Sequence, residues 1–257
     1  MKVSDEEIKI YDNFALDLSQ GVDVVDRDTY EVIIDSRRKE LIKRWLADKK
    51  GLILDYGCGD GSFSRFINVK NKKDVIGVDL SSGIVRYAST KDKNVDYLVV
   101  DCHALPFRNE SFDGIIAIGI FHHLDLPKAM SECKRLLRRD GFICVFEPNS
   151  LCPLSSMGRR FFKTKIHTPN ERTYTYWSFI NEFKKNKFVQ VELLFLSFMG
   201  FIFPFIWASN YSRLFAFLKR YTHVLKTIDT FFEKTPIAKH FCWMFVILGM
   251  KKSDFDS

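Results

Sequence analysis

Residues 52–61, Leu-Ile-Leu-Asp-Tyr-Gly-Cys-Gly-Asp-Gly, constrain the fold more than any other stretch of this chain. Their apolar run reads as a short strand, Leu52–Tyr56, and a helix begins at Ser62–Ile67. Gly57, Gly59 and Gly61 turn the chain between the two. Glycines at such a turn let backbone N–H groups approach a ligand where a Cβ would clash. The spacing departs from the dinucleotide fingerprint G-x-G-x-x-G, because Ser62 stands where its third glycine would be. No Gly-Lys-Ser/Thr follows, which excludes a P-loop.

Short apolar runs and helical stretches alternate after this turn. Asp74–Asp79, Val95–Asp101, Gly114–Gly119 and Phe142–Glu147 read as strands. Ser82–Ser89 and Pro127–Leu137 read as helices, the second capped by Gly141. Strands separated by helices imply a parallel sheet covered on both faces. Helices are expected over 5–18 and 30–47 ahead of the sheet, and over 175–186 and 211–234 after it. In the last of these, Leu214, Phe217, Leu218, Tyr221, Val224, Leu225, Ile228, Phe231 and Phe232 share one stripe. Phe188–Phe198 and Phe241–Met250 read as two further strands.

Three acids stand at or near successive strand ends: Asp55, Asp79 and Asp101. Ligands of open α/β sheets bind along that carboxyl edge. A carboxylate at Asp79 can accept hydrogen bonds from ribose hydroxyls, and one at Asp101 can reach an adenine amine. Each Asp taken alone reads equally as a helix cap or turn residue.

With these residues in place the chain resembles a known family. D-x-G-C-G-x-G at Asp55–Gly61, V-D-L-S at Val78–Ser81, D-C-H-A-L-P-F at Asp101–Phe107 with S-F-D-G at Ser111–Gly114, and L-x-R-x-G-F at Leu137–Phe142 are similar to class I S-adenosylmethionine methyltransferases. The nearest branch is the quinone- and lipid-type small-molecule enzymes. The similarity is clear over about 51–148. It implies a single α/β domain with a Rossmann-like three-layer fold and a mostly parallel seven-stranded sheet. Strands six and seven form its antiparallel end. Residues 1–50 would be a helical lid, 51–148 the cofactor core, and 149–257 a substrate cap with an aromatic-rich helical insertion between the last two strands.

The resemblance also implies roles around S-adenosyl-L-methionine. Asp55, Gly57, Cys58, Gly59 and Gly61 would surround its methionine part. Asp79 would hold the ribose, with Leu80 beside the adenine, and Asp101 and Cys102 would contact that base. Ile118 and Gly119 would line the methionine end, and Tyr11 would belong to the lid.

A sulfonium carries an activated methyl group, so such an enzyme chiefly positions the acceptor. A base is needed only where the acceptor must lose a proton. His122 and His123 follow the fourth strand and are the candidates; a neutral imidazole there could deprotonate a hydroxyl. They read equally as a loop cap and a packing residue. Glu147, at the end of the fifth strand, is expected to face the cleft and orient the substrate, or to bond the neighbouring loop. His167, in His-Thr-Pro-Asn-Glu-Arg, falls where this branch places substrate-cap residues. Some ubiquinone-type O-methyltransferases hold a metal on the loop after strand four through two carboxylates and a His. The matching positions here are Gly119, His122 and His123, so no metal is expected.

Charge divides the chain. Residues 151–257 hold 16 Lys/Arg against 7 Asp/Glu and 17 of the 25 phenylalanines, for a net +9, whereas residues 1–150 carry −2. The second part is read as facing the acceptor: a small-molecule or lipid-like compound. Leu193–Ala208 is a 16-residue apolar run, short of the roughly 20 that cross a membrane. It reads either as core or as an apolar cap that could touch a membrane surface. The basic residues of 213–226 beside an apolar stripe fit an interfacial helix or a packed one. No nucleic-acid partner is expected, since neither an Asn/Asp-Pro-Pro-Tyr/Phe motif nor a Pro-Cys nucleophile is present. The charged N-terminus and six cysteines without zinc spacing point to a cytoplasmic chain with free thiols. A nucleic-acid methyltransferase and a cofactor-binding protein without turnover are the competing readings.

Overall fold

The computed structural model describes residues 5–21, 34–71, 74–153, 171, 172, 174–198 and 220–252. Helices α1 (Asp5–Ser19) and α2 (Ser36–Leu46) precede the sheet. Then come β1 (Ile53–Tyr56), α3 (Ser62–Asn71), β2 (Val75–Asp79), α4 (Ser82–Lys91), β3 (Asp96–Val99) and β4 (Phe112–Ile118). A 3₁₀ turn at Phe121–His123 leads to α5 (Leu126–Leu136) and β5 (Leu137–Pro148). The order ends with α6 (Tyr176–Lys185), β6 (Phe188–Leu196), α7 (Thr222–Glu233), α8 (Ala238–Phe241) and β7 (Met244–Lys251).

The strands form one seven-stranded sheet in the order β3-β2-β1-β4-β5-β7-β6. Strands β1 to β5 pair in parallel, and β7 runs antiparallel to both β5 and β6. Alternate side chains of each strand feed two cores, as a pleat requires. Ile143, Val145, Phe245 and Ile247 meet Met130 and Cys133 of α5 and Phe179 and Phe183 of α6. Cys144, Phe146, Val246 and Leu248 meet Leu41, Ile42 and Leu46 of α2 and Phe63 and Ile67 of α3. The expected three layers and antiparallel end are therefore present.

Local signals set several boundaries. Ser81 caps α4 by accepting Ile84 N, and Asp125 caps α5 by accepting Lys128 N. Several boundaries differ from expectation; β3, for example, ends at Val99, so Asp101 lies two residues beyond it. Helix α5 stops at Leu136 and is not capped by Gly141, because Leu137 already pairs with Phe112 in the sheet. Phe241 closes α8, so the last strand begins only at Met244. Of the expected 211–234 helix the described part is α7, and its Val224, Ile228 and Phe231 are exposed. The stripe drawn from periodicity thus turns inward only at half-buried Leu225 and Phe232 over these residues. The inner side also carries Asp229, with Lys226 bonded to Ser36 and Glu233 paired with Arg37.

Helix α1 lies over α4, where Ala15 and Leu18 pack on Ile84. Asp12 fixes this placement. Its Oδ1 accepts Ser81 Oγ and Gly83 N, both at 2.7 Å, at the N-terminus of α4. An acid there also meets the positive end of the helix dipole.

Candidate cofactor and acceptor site

The chain order reverses between β1 and β4, and a cleft opens at the carboxyl ends of these strands, the usual ligand position of such sheets. Its space is about 160 Å³. The β1–α3 turn forms its floor through Gly57 and Gly59, at φ 77° and 50°. A Cβ on Gly57 would stand 2.5 Å from Ile120, so the close approach of these two loops requires glycine. Around Gly59 the equivalent position is open, leaving its backbone approachable by a ligand.

Asp79 borders the cleft next to that turn. Its Oδ2 accepts Gly59 N at 3.1 Å and its Oδ1 accepts Ser81 N at 3.0 Å. Burial pushes its carboxyl above the usual range, against these backbone donors. A carboxylate offers about four acceptor positions, so Asp79 can still accept from a ribose hydroxyl beside these donors. Leu80 and Cys102 continue this wall, and Asp101 closes it. His103 fixes Asp101: its Nε2 accepts Asp125 N at 3.0 Å, so Nδ1 carries the proton and donates to Asp101 Oδ1 at 2.9 Å. An anchored diol acceptor, an open glycine and a carboxylate at the far wall suit an adenosyl group.

Three expected cofactor residues do not line this cleft. Asp55 is buried and accepts Ser64 Oγ, tying β1 to α3. Burial raises its carboxyl to about 7. Cys58 is buried and Gly61 packs under Tyr97, so both shape the turn from behind. The remaining nine border the cleft, among them Ile118 and Gly119 at the end of β4 and Tyr11 from α1.

Helix α1 roofs the opposite side with Glu7, Ile8 and Tyr11. Sequence reading missed Glu7, although it stands four residues before Tyr11 and so shares its helix face. Tyr11 Oη lies 3.1 Å from His123 Nε2, and His123 Nδ1 lies 3.7 Å from Glu7 Oε1. Burial, then Asp79, Glu171, Glu7 and Glu147, push the Tyr11 phenol well above its ordinary range, which keeps it protonated. His123 is the histidine that borders the cleft, with Ile120 and Leu124 beside it.

His122 and Glu147 stand behind this wall. Glu147 is 1% exposed and does not face the cleft, contrary to the expected substrate-orienting role. Both its oxygens are used within the protein: Oε1 accepts Phe121 N at 2.7 Å and Oε2 lies 2.9 Å from His122 Nδ1. Its other expected reading, a bond to the neighbouring loop, is the one realised. His167 lies outside the described residues.

His122 O accepts Arg172 N at 2.8 Å, which brings the segment around Arg172 against the 3₁₀ turn. The neighbouring Glu171 supplies a carboxylate that the strand-four loop lacks. One potential ligand atom from each of His122, His123 and Glu171 lies within 4.8 Å of the others. Among the described residues this is the group that could hold a metal ion. Because His123 already meets Tyr11 and Glu7, a metal there would have to displace one of them.

Sheet order and cleft position together define a Rossmann-like α/β domain. Residues 54–145 match the family described as "Methyltransferase domain". Over 112 residues the chain is 31% identical to a demethylmenaquinone methyltransferase of Thermotoga maritima, covering 43% of this chain and 49% of that protein. It is also 28% identical over 149 residues to a mouse protein named "Probable tRNA methyltransferase 9B", covering 56% of this chain and 31% of that one. The chain thus spans half or less of the length of these relatives. Among solved structures, a Thermotoga maritima protein titled an SAM-dependent methyltransferase, "possible histamine N-methyltransferase", overlays with TM-score 0.64 at 17% identity, covering 95% of this chain and 99% of that one. A methyltransferase domain thus lies within residues 54–145.

Proposed function

We propose that the protein transfers a methyl group from S-adenosyl-L-methionine to a small, apolar or lipid-linked acceptor. The observation that carries this reading is the roof over the cleft: Glu7, Ile8 and Tyr11 of α1 close it opposite Ile118, Ile120 and Leu124. Such a site admits a compact, largely apolar molecule more readily than a folded nucleic acid. The similarity to a quinone-type methyltransferase supports the same class.

When bound, the cofactor supplies a methyl group on a sulfonium, open to in-line displacement. Asp79 and the Gly57–Gly59 backbone would hold its adenosyl and methionine parts, with Asp101 at the adenine. Tyr11, kept protonated, can donate to His123 Nε2 in the tautomer that carries the ring proton on Nδ1. An acceptor hydroxyl taking Tyr11's place would find a neutral imidazole able to accept its proton. Ile118, Ile120 and Leu124 exclude water around that transfer. His122, held by Glu147, positions the turn that carries His123.

Calorimetric titration with S-adenosylmethionine and S-adenosylhomocysteine tests the cofactor half on wild type and Asp79→Ala. Micromolar binding that the substitution weakens supports it; no binding by folded wild type overturns it. Labelled methyl transfer to quinols and polyprenyl lipids, beside total tRNA, tests the acceptor half. Label only in tRNA would replace it with the nucleic-acid reading, which the basic residues 151–257 and the tRNA-methyltransferase relative favour. Cofactor binding without label in either pool would favour a non-catalytic protein.

A further inference from the structure

Helix α7 turns charged residues inward beside half-buried Leu225 and Phe232, the latter stacked on Phe198, and leaves the rest of its apolar stripe outside. Lys226 bonds Ser36 Oγ at 3.0 Å, Asp229 is buried, and Glu233 meets Arg37 Nε at 3.2 Å and Ser197 N at 3.0 Å. Outward stand His223, Val224, Thr227, Ile228 and Phe231, none of them acidic. Phe231 is 67% exposed and Val224 55%. The surface continues through exposed Ile237 and Phe241, so apolar side chains recur along it. Arg220, Lys234 and Lys239 are exposed around them, and the two acids between 220 and 243 are the inward Asp229 and Glu233. A globular protein ordinarily turns such a helix the other way, apolar side in.

The patch also has a defined position. Glu233 is tied to Ser197, just past the carboxyl end of β6. Helix α8 then enters β7, which starts at that same edge because it runs antiparallel. The C-terminal half of the patch therefore lies along the sheet edge on which the cofactor cleft opens.

We propose that the outer face of α7, with Ile237 and Phe241, docks on an anionic lipid surface. Apolar side chains flanked by cations, with no exposed acid on α7 or α8 themselves, match the headgroup–acyl boundary of such a membrane. A second copy of the chain would set Lys234 and Lys239 against like charge, and RNA would bury Val224, Ile228 and Phe231 against phosphate. Docking goes beyond the acceptor reading and stands or falls without it; it would turn the cleft edge toward the bilayer.

The test is vesicle flotation of the full chain without cofactor or acceptor. Phosphatidylcholine–phosphatidylglycerol vesicles are compared with phosphatidylcholine alone, for wild type, Phe231→Glu and a Lys234→Glu/Lys239→Glu pair. These side chains are exposed, and unchanged melting and cofactor affinity verify folding. Wild type is expected to float with the anionic vesicles and to be released as salt rises. Phe231→Glu is expected to lower partitioning by about tenfold or more, and the lysine pair to abolish the preference for anionic lipid. Absence of wild-type flotation, or equal flotation of Phe231→Glu, overturns the proposal. So does a Phe231→Glu effect confined to self-association in sedimentation, or to tRNA retention.

Discussion

Glu147 Oε2 lies 2.9 Å from His122 Nδ1 at the end of β5, and the same carboxylate holds Phe121 N at 2.7 Å. One buried side chain thus fixes both the backbone and an imidazole of the turn that presents His123 to the cleft. Glu147→Ala leaves the buried Phe121 N–H without its acceptor, a loss of about 1–3 kcal/mol. Denaturant unfolding of the variant measures it. Glu147→Gln keeps the acceptor for Phe121 but offers an amide to His122, so ¹⁵N chemical shifts of that ring are expected to report a tautomer change with a smaller stability loss.

His123 and His122 are expected to separate in kinetics. A general base contributes about 10²–10⁴-fold in rate, so His123→Ala is expected to lower kcat by at least about a hundredfold. Cofactor affinity should stay nearly unchanged. His122→Ala, one layer back, is expected to act mainly on stability. Steady-state kinetics beside calorimetry distinguishes the two, and a His122→Ala that matches His123→Ala in kcat would contradict this division.

Asp79 organises the cofactor wall by holding Gly59 N and Ser81 N. Asp79→Ala removes those bonds and the acceptors for a diol. A hydrogen bond to a charged group contributes about 1.5–3 kcal/mol, so the Kd for S-adenosylhomocysteine is expected to rise by at least about tenfold. Asp79→Asn, which keeps one acceptor, is expected to fall between.

Helix α1 is tied to the N-terminus of α4 through Asp12. Asp12→Ala removes the bonds to Ser81 Oγ and Gly83 N. The Ala15–Leu18–Ile84 contact and the Tyr11 and Glu7 contacts to His123 are then left to hold α1. Faster hydrogen exchange in residues 5–19 and a lower cofactor affinity are expected, without a change in the sheet. Unaltered exchange of α1 would show that other contacts suffice.

Burial raises the Asp55 carboxyl to about 7, above its ordinary value of 3.8. The folded state therefore binds the proton more tightly than the unfolded chain. The contribution of Asp55 to stability is fully present below its unfolded pKa and is lost as pH rises through about 7. Asp55→Asn keeps an acceptor for Ser64 Oγ and does not titrate. Its melting temperature relative to wild type is expected to rise between the unfolded pKa and about 7 and then level off. A difference that does not vary with pH would show that Asp55 is not buried as described.

The sequence by itself determined the parallel part of the sheet and the glycine turn at its carboxyl edge. Strand–turn–helix signals are local: Leu52–Tyr56 into Gly57–Gly61, and acids near the ends of successive strands, can be read without knowing what packs where. The family resemblance implied an antiparallel end formed by the last two strands, and the structure supplied their order, β5-β7-β6. What only the tertiary structure decided are relations between distant segments. Periodicity finds the apolar stripe of α7 but does not say which side meets the core; the partners Ser36, Arg37 and Ser197, far away in sequence, turned Lys226 and Glu233 inward. A carboxylate at the end of β5 reads as cleft-facing until Phe121 N and His122 Nδ1 take both its oxygens. Glu7 and Glu171 join the histidine pair only because α1 folds across α4 and Arg172 N reaches His122 O. Local chemistry is written along the chain, whereas the direction a side chain faces is set by whichever partners the fold brings to it.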